Sequence, residues 1–85
     1  ILMILTNVKH AYLRYGQPGE KKLDIVCLKE IKKYYSEGHF PEGSMGPKIV
    51  AAIRFLESGG KKVIISHIDN GYEAFKGLTG THIVK

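Results

Sequence analysis

The stretch Glu42 to Leu56, EGSMGPKIVAAIRFL, constrains the fold more than any other. Gly46 precedes a proline and is biased away from helical backbone, which suits an N-cap. Pro47 suits the first helical position, where the N–H it lacks would have no partner. A helix is therefore expected to begin at Pro47. Ile49, Ala52, Ile53 and Leu56 then recur at the three-four spacing of a buried stripe, and Gly59-Gly60 close the helix. Past that closure, Lys62 to Ser66 carries the β-branched run Val63-Ile64-Ile65 and reads as a buried strand. Ile1 to Thr6 is a second continuous apolar run, the pattern of a strand covered on both faces in an α/β layer fold. Strand, helix and strand make a right-handed parallel crossover, with the helix on one face and both strand ends at one edge.

Other elements follow from the same rules. Leu23 to Cys27 can form a short strand, and Leu28 to Glu37 a helix with Leu28, Ile31, Tyr34 and Tyr35 as its packing stripe, ending at Gly38. Ser66 and Asp69 have capping-box spacing for a short helix Asp69 to Lys76 that stops at Gly77. Gly71 weakens that helix by about 1 kcal/mol relative to alanine. Thr79-Gly80-Thr81 reads as a turn and His82 to Val84 as a last strand at a sheet edge. Tyr15 to Glu20 is a surface turn cluster. Gly38 to Gly46, with three glycines and Pro41, is a loop able to bring backbone N–H groups to a ligand. His39 has no carboxylate or nucleophile at a fixed spacing, so a general-base role has no support.

Lys48 is the residue that stability alone does not explain. A cation in the first turn sits at the positive end of the helix dipole, where a carboxylate would stabilise. A phosphate at the helix mouth would reverse the balance, since free N–H groups and the ammonium would converge on it. The second candidate is the loop Thr6 to Tyr12, because ligands of open α/β sheets lie beyond the carboxyl ends of strands. Thr6 and Asn7 can hydrogen-bond there, and Tyr12 can offer a ring face to a base.

Eighty-five residues make one domain at most. Cys27 has no partner for an internal disulfide and reads as a small hydrophobe on a strand, with a reducing cytosol as the default compartment. The opening apolar run is too short to span a bilayer and is not a signal peptide. The histidines show no metal-ligand spacing, so no structural metal is expected. A net charge of +5 and a pI near 9.4 permit attraction to phosphates of any kind, and charge alone does not choose among them. Nucleic acid is the weaker choice, because the lysines are spread along the chain without an RNA-recognition signature or finger spacing.

The segment HFPEGSMGPKIVAAIRFLESGG resembles the end of carbamate kinase, of the amino acid kinase superfamily, whose members carry G-S-M-G-P-K before a helix. ILTNV and AYLRYG look like that family's L-T-D-V and V-Y-x-x-x-G segments, and GLTGTHIV looks like its K-T-G-T-x-I terminus. The resemblance covers the whole chain in order. It implies an α/β fold, the C-terminal portion of an amino acid kinase-like αβα sandwich with mainly parallel strands and flanking helices. Residues 1–85 would be a partial C-terminal nucleotide-binding domain, with the N-terminal substrate domain absent.

The implied function is the ATP/ADP-binding half of a phosphotransferase that interconverts ATP and carbamate with ADP and carbamoyl phosphate in arginine breakdown. The 85 residues alone would be inactive. Lys48 would be catalytic, with Thr6, Asn7, Val8, Tyr12, Met45, Gly46, Pro47 and Lys48 binding the nucleotide. Mg2+ would arrive with the nucleotide, and carbamate or carbamoyl phosphate would bind only through the missing part. A cytoplasmic homo-oligomer is expected, because the first strand would lack neighbours. Asn7 stands where the family commonly has aspartate and lacks the charge to hold a metal or orient a lysine. His10 replaces a frequent glycine. A kinase-like protein with another substrate or a non-catalytic role is the alternative reading.

Overall fold

The computed structural model describes residues 1–14, 16–40 and 45–85. In chain order its elements are β1 (Leu2–Thr6), β2 (Tyr12–Leu13), β3 (Lys21–Lys22), β4 (Ile25–Cys27), α1 (Leu28–Ser36), α2 (Met45–Glu57), β5 (Lys62–His67), a 3-10 turn (Ile68–Asn70), α3 (Gly71–Phe75) and β6 (Thr81–Val84). Four strands form one sheet in the order β1-β5-β6-β4, and β2 pairs with β3 in a small antiparallel ribbon. β1 runs parallel to β5 with Leu2 opposite Val63 and Thr6 opposite His67. β4 runs parallel to β6, while β6 is antiparallel to β5. The sheet is thus mainly parallel, with one reversal at its centre.

The expected crossover is present, with α2 packed on β1 and β5. Val63 and Ile65 of β5, Ile83 of β6 and Val26 of β4 meet Ile49, Ala52 and Leu56 of α2 and Ile31 of α1 in one core, which Ala11, Leu23 and Phe40 complete. Full burial of a side chain such as Leu56 stabilises by about 1.5–3 kcal/mol. Alternation turns Ile64 and Ser66 to the other face of the sheet. There α3 lies against β1 and β5: a Cβ on Gly71 would touch Leu5 and Met3, and Gly80 approaches Ala74 and Ser66. Helices therefore flank both faces.

Several expectations need correction. α2 begins at Met45, two residues before Pro47. Proline is tolerated anywhere in the first turn, because no N–H there has an intrahelical acceptor, so it marks the turn and not its first residue. β6 lies inside the sheet and not at its edge. Both of its sides are hydrogen-bonded, and Thr81, His82 and Ile83 are buried. β1 is less covered than a doubly buried strand, since Leu5 is 44% exposed at the end of the four-stranded sheet.

Ser66 is not the cap it was expected to be. His67 accepts the Asp69 N–H on Nδ1 at 3.0 Å, while the Ser66 hydroxyl turns inward to the carbonyls of His67 and Asn70. The helix expected over Asp69 to Lys76 is split into the 3-10 turn and the five-residue α3. Tyr34 packs on the core, but Tyr35 does not complete the stripe and stays exposed. The β2–β3 ribbon, with Tyr12 opposite Lys22, was not expected, and of its residues only Tyr12 lies in a segment read as loop.

Helix closures agree with the glycine positions. α2 ends with the Gly60 N–H donating to the Phe55 carbonyl and the Gly59 N–H to that of Leu56, a Schellman pattern that the positive φ of Gly59 permits. α1 starts with the Glu30 carboxylate accepting the Cys27 N–H at 3.2 Å, so Cys27 ends β4 and opens the helix. Among the described residues no helix is long and apolar enough to cross a membrane.

Candidate functional site

Because β1 and β5 are parallel neighbours, Thr6 and His67 end at one edge of the sheet. The chain turns there through residues 7–10 before Ala11 re-enters the core. The Thr6 hydroxyl donates to Asn7 Oδ1 at 3.4 Å; Asn7 is exposed and Val8 half-buried. α2 is joined to the start of β5 by a short turn, residues 58–61. A helix of this length covers about 20 Å, close to the length of β5. Its first turn therefore returns toward the edge where β1 and β5 end.

The first turn of α2 carries no acidic residue. Gly46 is buried, Met45 packs against the core, Lys48 is half-buried and Pro47 is exposed. The amides of Met45 and Gly46 stand in the first turn of the helix, where backbone N–H groups lack an intrahelical acceptor, and Pro47 has no N–H. A cation and a set of amides at a helix start are suited to an anion. The residues before Met45, including the Glu42 and Ser44 of the sequence motif, lie outside the described residues.

Two clefts bear on this arrangement. One of about 420 Å³ lies along α2 and is lined by Gly46, Pro47, Val50, Ala51, Arg54 and Tyr35. The other, of about 450 Å³, has His10, Lys22, Asp24, Lys62 and His82 among its walls. Gly46 and Pro47 share the first cleft; Thr6, Asn7, Val8, Tyr12, Met45 and Lys48 line neither. The two groups of candidate residues thus share an edge of the sheet without sharing either cleft.

No protein-family model matches the chain. The carbamate kinase of Thermococcus kodakarensis is 53% identical over 85 residues, covering 100% of this chain and 27% of that protein. That of Pyrococcus furiosus is 52% identical over 84 residues, 99% of this chain and 27% of the relative. Among solved structures, carbamate kinase from Giardia lamblia bound to AMP-PNP superposes with a TM-score of 0.95 at 45% identity, over 99% of this chain and 27% of the other. The chain is a homologue of the carbamate kinases. It spans about a quarter of the length of the carbamate kinases it matches, in their C-terminal portion.

Two residues gain importance that were not among the expected site residues. His10, which falls in the loop expected after the first strand, is buried, with Nε2 at 3.3 Å from Asp24 Oδ1 and its ring edge-on to Tyr12 at 6.1 Å. Burial pushes the imidazole below its usual pKa, and Asp24 opposes that only in part. Sequence gave no warning, since turn polars and buried histidines look alike. Thr81 was read as part of a turn, yet it is fully buried and its hydroxyl accepts the Ala11 N–H at 2.8 Å while donating to the Leu23 carbonyl. The T-G-T run of the carbamate kinase-like terminus was the one available signal.

Proposed function

We propose that this chain supplies the nucleotide-binding half of a carbamate kinase, with ATP or ADP held at the edge where β1 ends. Its phosphates would lie against the Lys48 side chain and the amides of Met45 and Gly46, and its base against Tyr12 and the turn formed by Thr6, Asn7 and Val8. The observation that carries this reading is a half-buried lysine in a helix turn that has no acidic residue, on a helix packed against β1 and β5. Phosphoryl transfer asks little covalent chemistry of a protein. Positioned cations and N–H groups stabilise the charge spread over the moving group. Lys48 would contribute that charge on the nucleotide side. Kinship with carbamate kinases, one of them solved with AMP-PNP, supports the nucleotide as ligand.

Carbamate or carbamoyl phosphate would be held by residues of an N-terminal domain outside these 85, so the chain by itself binds nucleotide weakly and transfers nothing. Mg2+ would come with the nucleotide. Among the described residues no group of three or more His, Cys, Asp or Glu side chains could hold a metal ion, and no step is assigned to one here. Arginine breakdown in the cytoplasm is the implied setting. Self-association is part of the proposal, supported by the apolar Ile1 and Leu5 exposed on and beside β1, at the end of the four-stranded sheet.

The test is a full-length carbamate kinase carrying this sequence, assayed with carbamoyl phosphate and ADP. Lys48→Met is expected to lower kcat on the order of 100-fold, the scale for losing one charge-stabilising group. Unchanged turnover would remove Lys48 from the mechanism. Asn7, exposed and uncharged where the family commonly carries aspartate, favours the second reading, a kinase-like protein with another acceptor or none. ADP binding without transfer from carbamoyl phosphate would select it.

A further inference from the structure

We propose that Thr81 is a positioning residue for the loop Thr6 to Tyr12, setting its shape for the nucleotide before the nucleotide arrives. The proposal rests on the reading of that loop as the nucleotide's seat. The loop starts at Thr6, which the β1–β5 ladder fixes opposite His67. It ends at Ala11, which is held from both sides. Its N–H donates to Thr81 Oγ1 at 2.8 Å, and its carbonyl accepts the Leu23 N–H at 2.9 Å. Thr81 closes the circuit by donating its own proton to the Leu23 carbonyl. A hydroxyl can do both at once because it carries one donor and two lone pairs.

The chemistry of position 81 is therefore more specific than its packing. Thr81 is fully buried in the middle strand of the sheet, opposite Ile65, and a valine would fill the same volume. Valine would also leave the Ala11 N–H and the Leu23 carbonyl buried without partners, so the segment would have to move to find water. Gly80 adds to the constraint. Its φ is +88°, and a Cβ there would stand 2.9 Å from the Ile65 carbonyl oxygen, so the start of β6 lies as close to β5 as backbone allows. With both ends fixed, the turn between them has few conformations left. A loop shaped in advance costs the ligand less ordering on binding.

A role in positioning predicts weaker nucleotide binding with the chemical step retained. In a full-length carbamate kinase carrying this sequence, Thr81→Val should raise KM for ADP about tenfold and leave kcat within about twofold, as expected for displacing a binding segment and not the reacting groups. Thr81→Ser, which keeps the hydroxyl and loses only the methyl, should restore the parental KM. If packing were the whole role, the order would invert, with valine tolerated and serine impaired, and the proposal would fall. Should the valine variant not fold, hydrogen exchange in the isotope-labelled full-length enzyme decides the matter. The Ala11 amide should be protected from exchange before ADP is added, as a hydrogen bond formed in advance requires, and an unprotected Ala11 amide overturns the proposal. ADP shifts in residues 7 and 8 together with an unchanged KM in Thr81→Val would sink only the role of Thr81. ADP shifts nowhere in the loop would sink the nucleotide reading as well.

Discussion

His10 Nε2 stands 3.3 Å from Asp24 Oδ1, tying the turn after β1 to the residue that leads into β4. The two partners are unequal, since the histidine side chain is 9% exposed and that of the aspartate 66%. Burial therefore outweighs attraction, and the imidazole takes a proton less readily in the folded chain than in the unfolded one. Between its lowered folded pKa and the ordinary value of 6.5, the unfolded state binds more protons, so stability rises with pH across that window and is lost as pH falls through it. Lys22, Lys9 and His82 lie near enough to act in the same direction as burial. Urea midpoints measured from pH 7.5 down to pH 5 should fall for the parent chain, and His10→Gln should flatten that part of the curve. An unaltered slope in the variant would show that the pH sensitivity arises elsewhere.

Gly80 and Gly77 both have positive φ, but only Gly80 is crowded: a Cβ would lie 2.9 Å from the Ile65 oxygen there and would meet nothing within 4 Å at Gly77. Gly77→Ala should cost about 1–2 kcal/mol, the price of the left-handed backbone alone. Gly80→Ala should cost more, because a carbonyl in the β5 ladder has to shift as well. Denaturant titration of the two variants side by side checks the order, and equal costs would mean that the contact relaxes freely.

Leu56 lies at the fully buried end of the α2 stripe. Its replacement by alanine is expected to cost about 2–5 kcal/mol. Native domains hold only about 5–15 kcal/mol in total, so a chain of this size has little margin for that loss. Circular dichroism through a thermal scan should show a sharply lowered or missing transition. A transition close to that of the parent would mean that α2 is not anchored through this residue.

The parts legible in the sequence were those written in local pattern. The Ile49, Ala52, Leu56 spacing gave α2 its buried face, and Val63 to Ile65 gave β5. Gly38, Gly59 and Gly77 marked the ends of the three helices, each through its positive φ. What escaped depends on partners far away along the chain. His82 to Val84 looks like an edge strand until β4 and β5 are seen on its two sides. His10 looks like any turn polar until Asp24 and the core close around it. The hydroxyl of Thr81 has meaning only beside Ala11, 70 residues away. His67 displaced Ser66 as a cap because the alternation of β5 turns the serine inward.

The placement of β6 sets how the sheet can assemble. Among the described strands it alone touches β4, so the strand that joins β4 to β5 comes after both of them along the chain. Until it arrives, β4 and α1 have no sheet to belong to, and long-separated pairings of this kind are slow to form. Deleting residues 81–84 would therefore do more than shorten the chain: it would part β4 from the rest of the sheet.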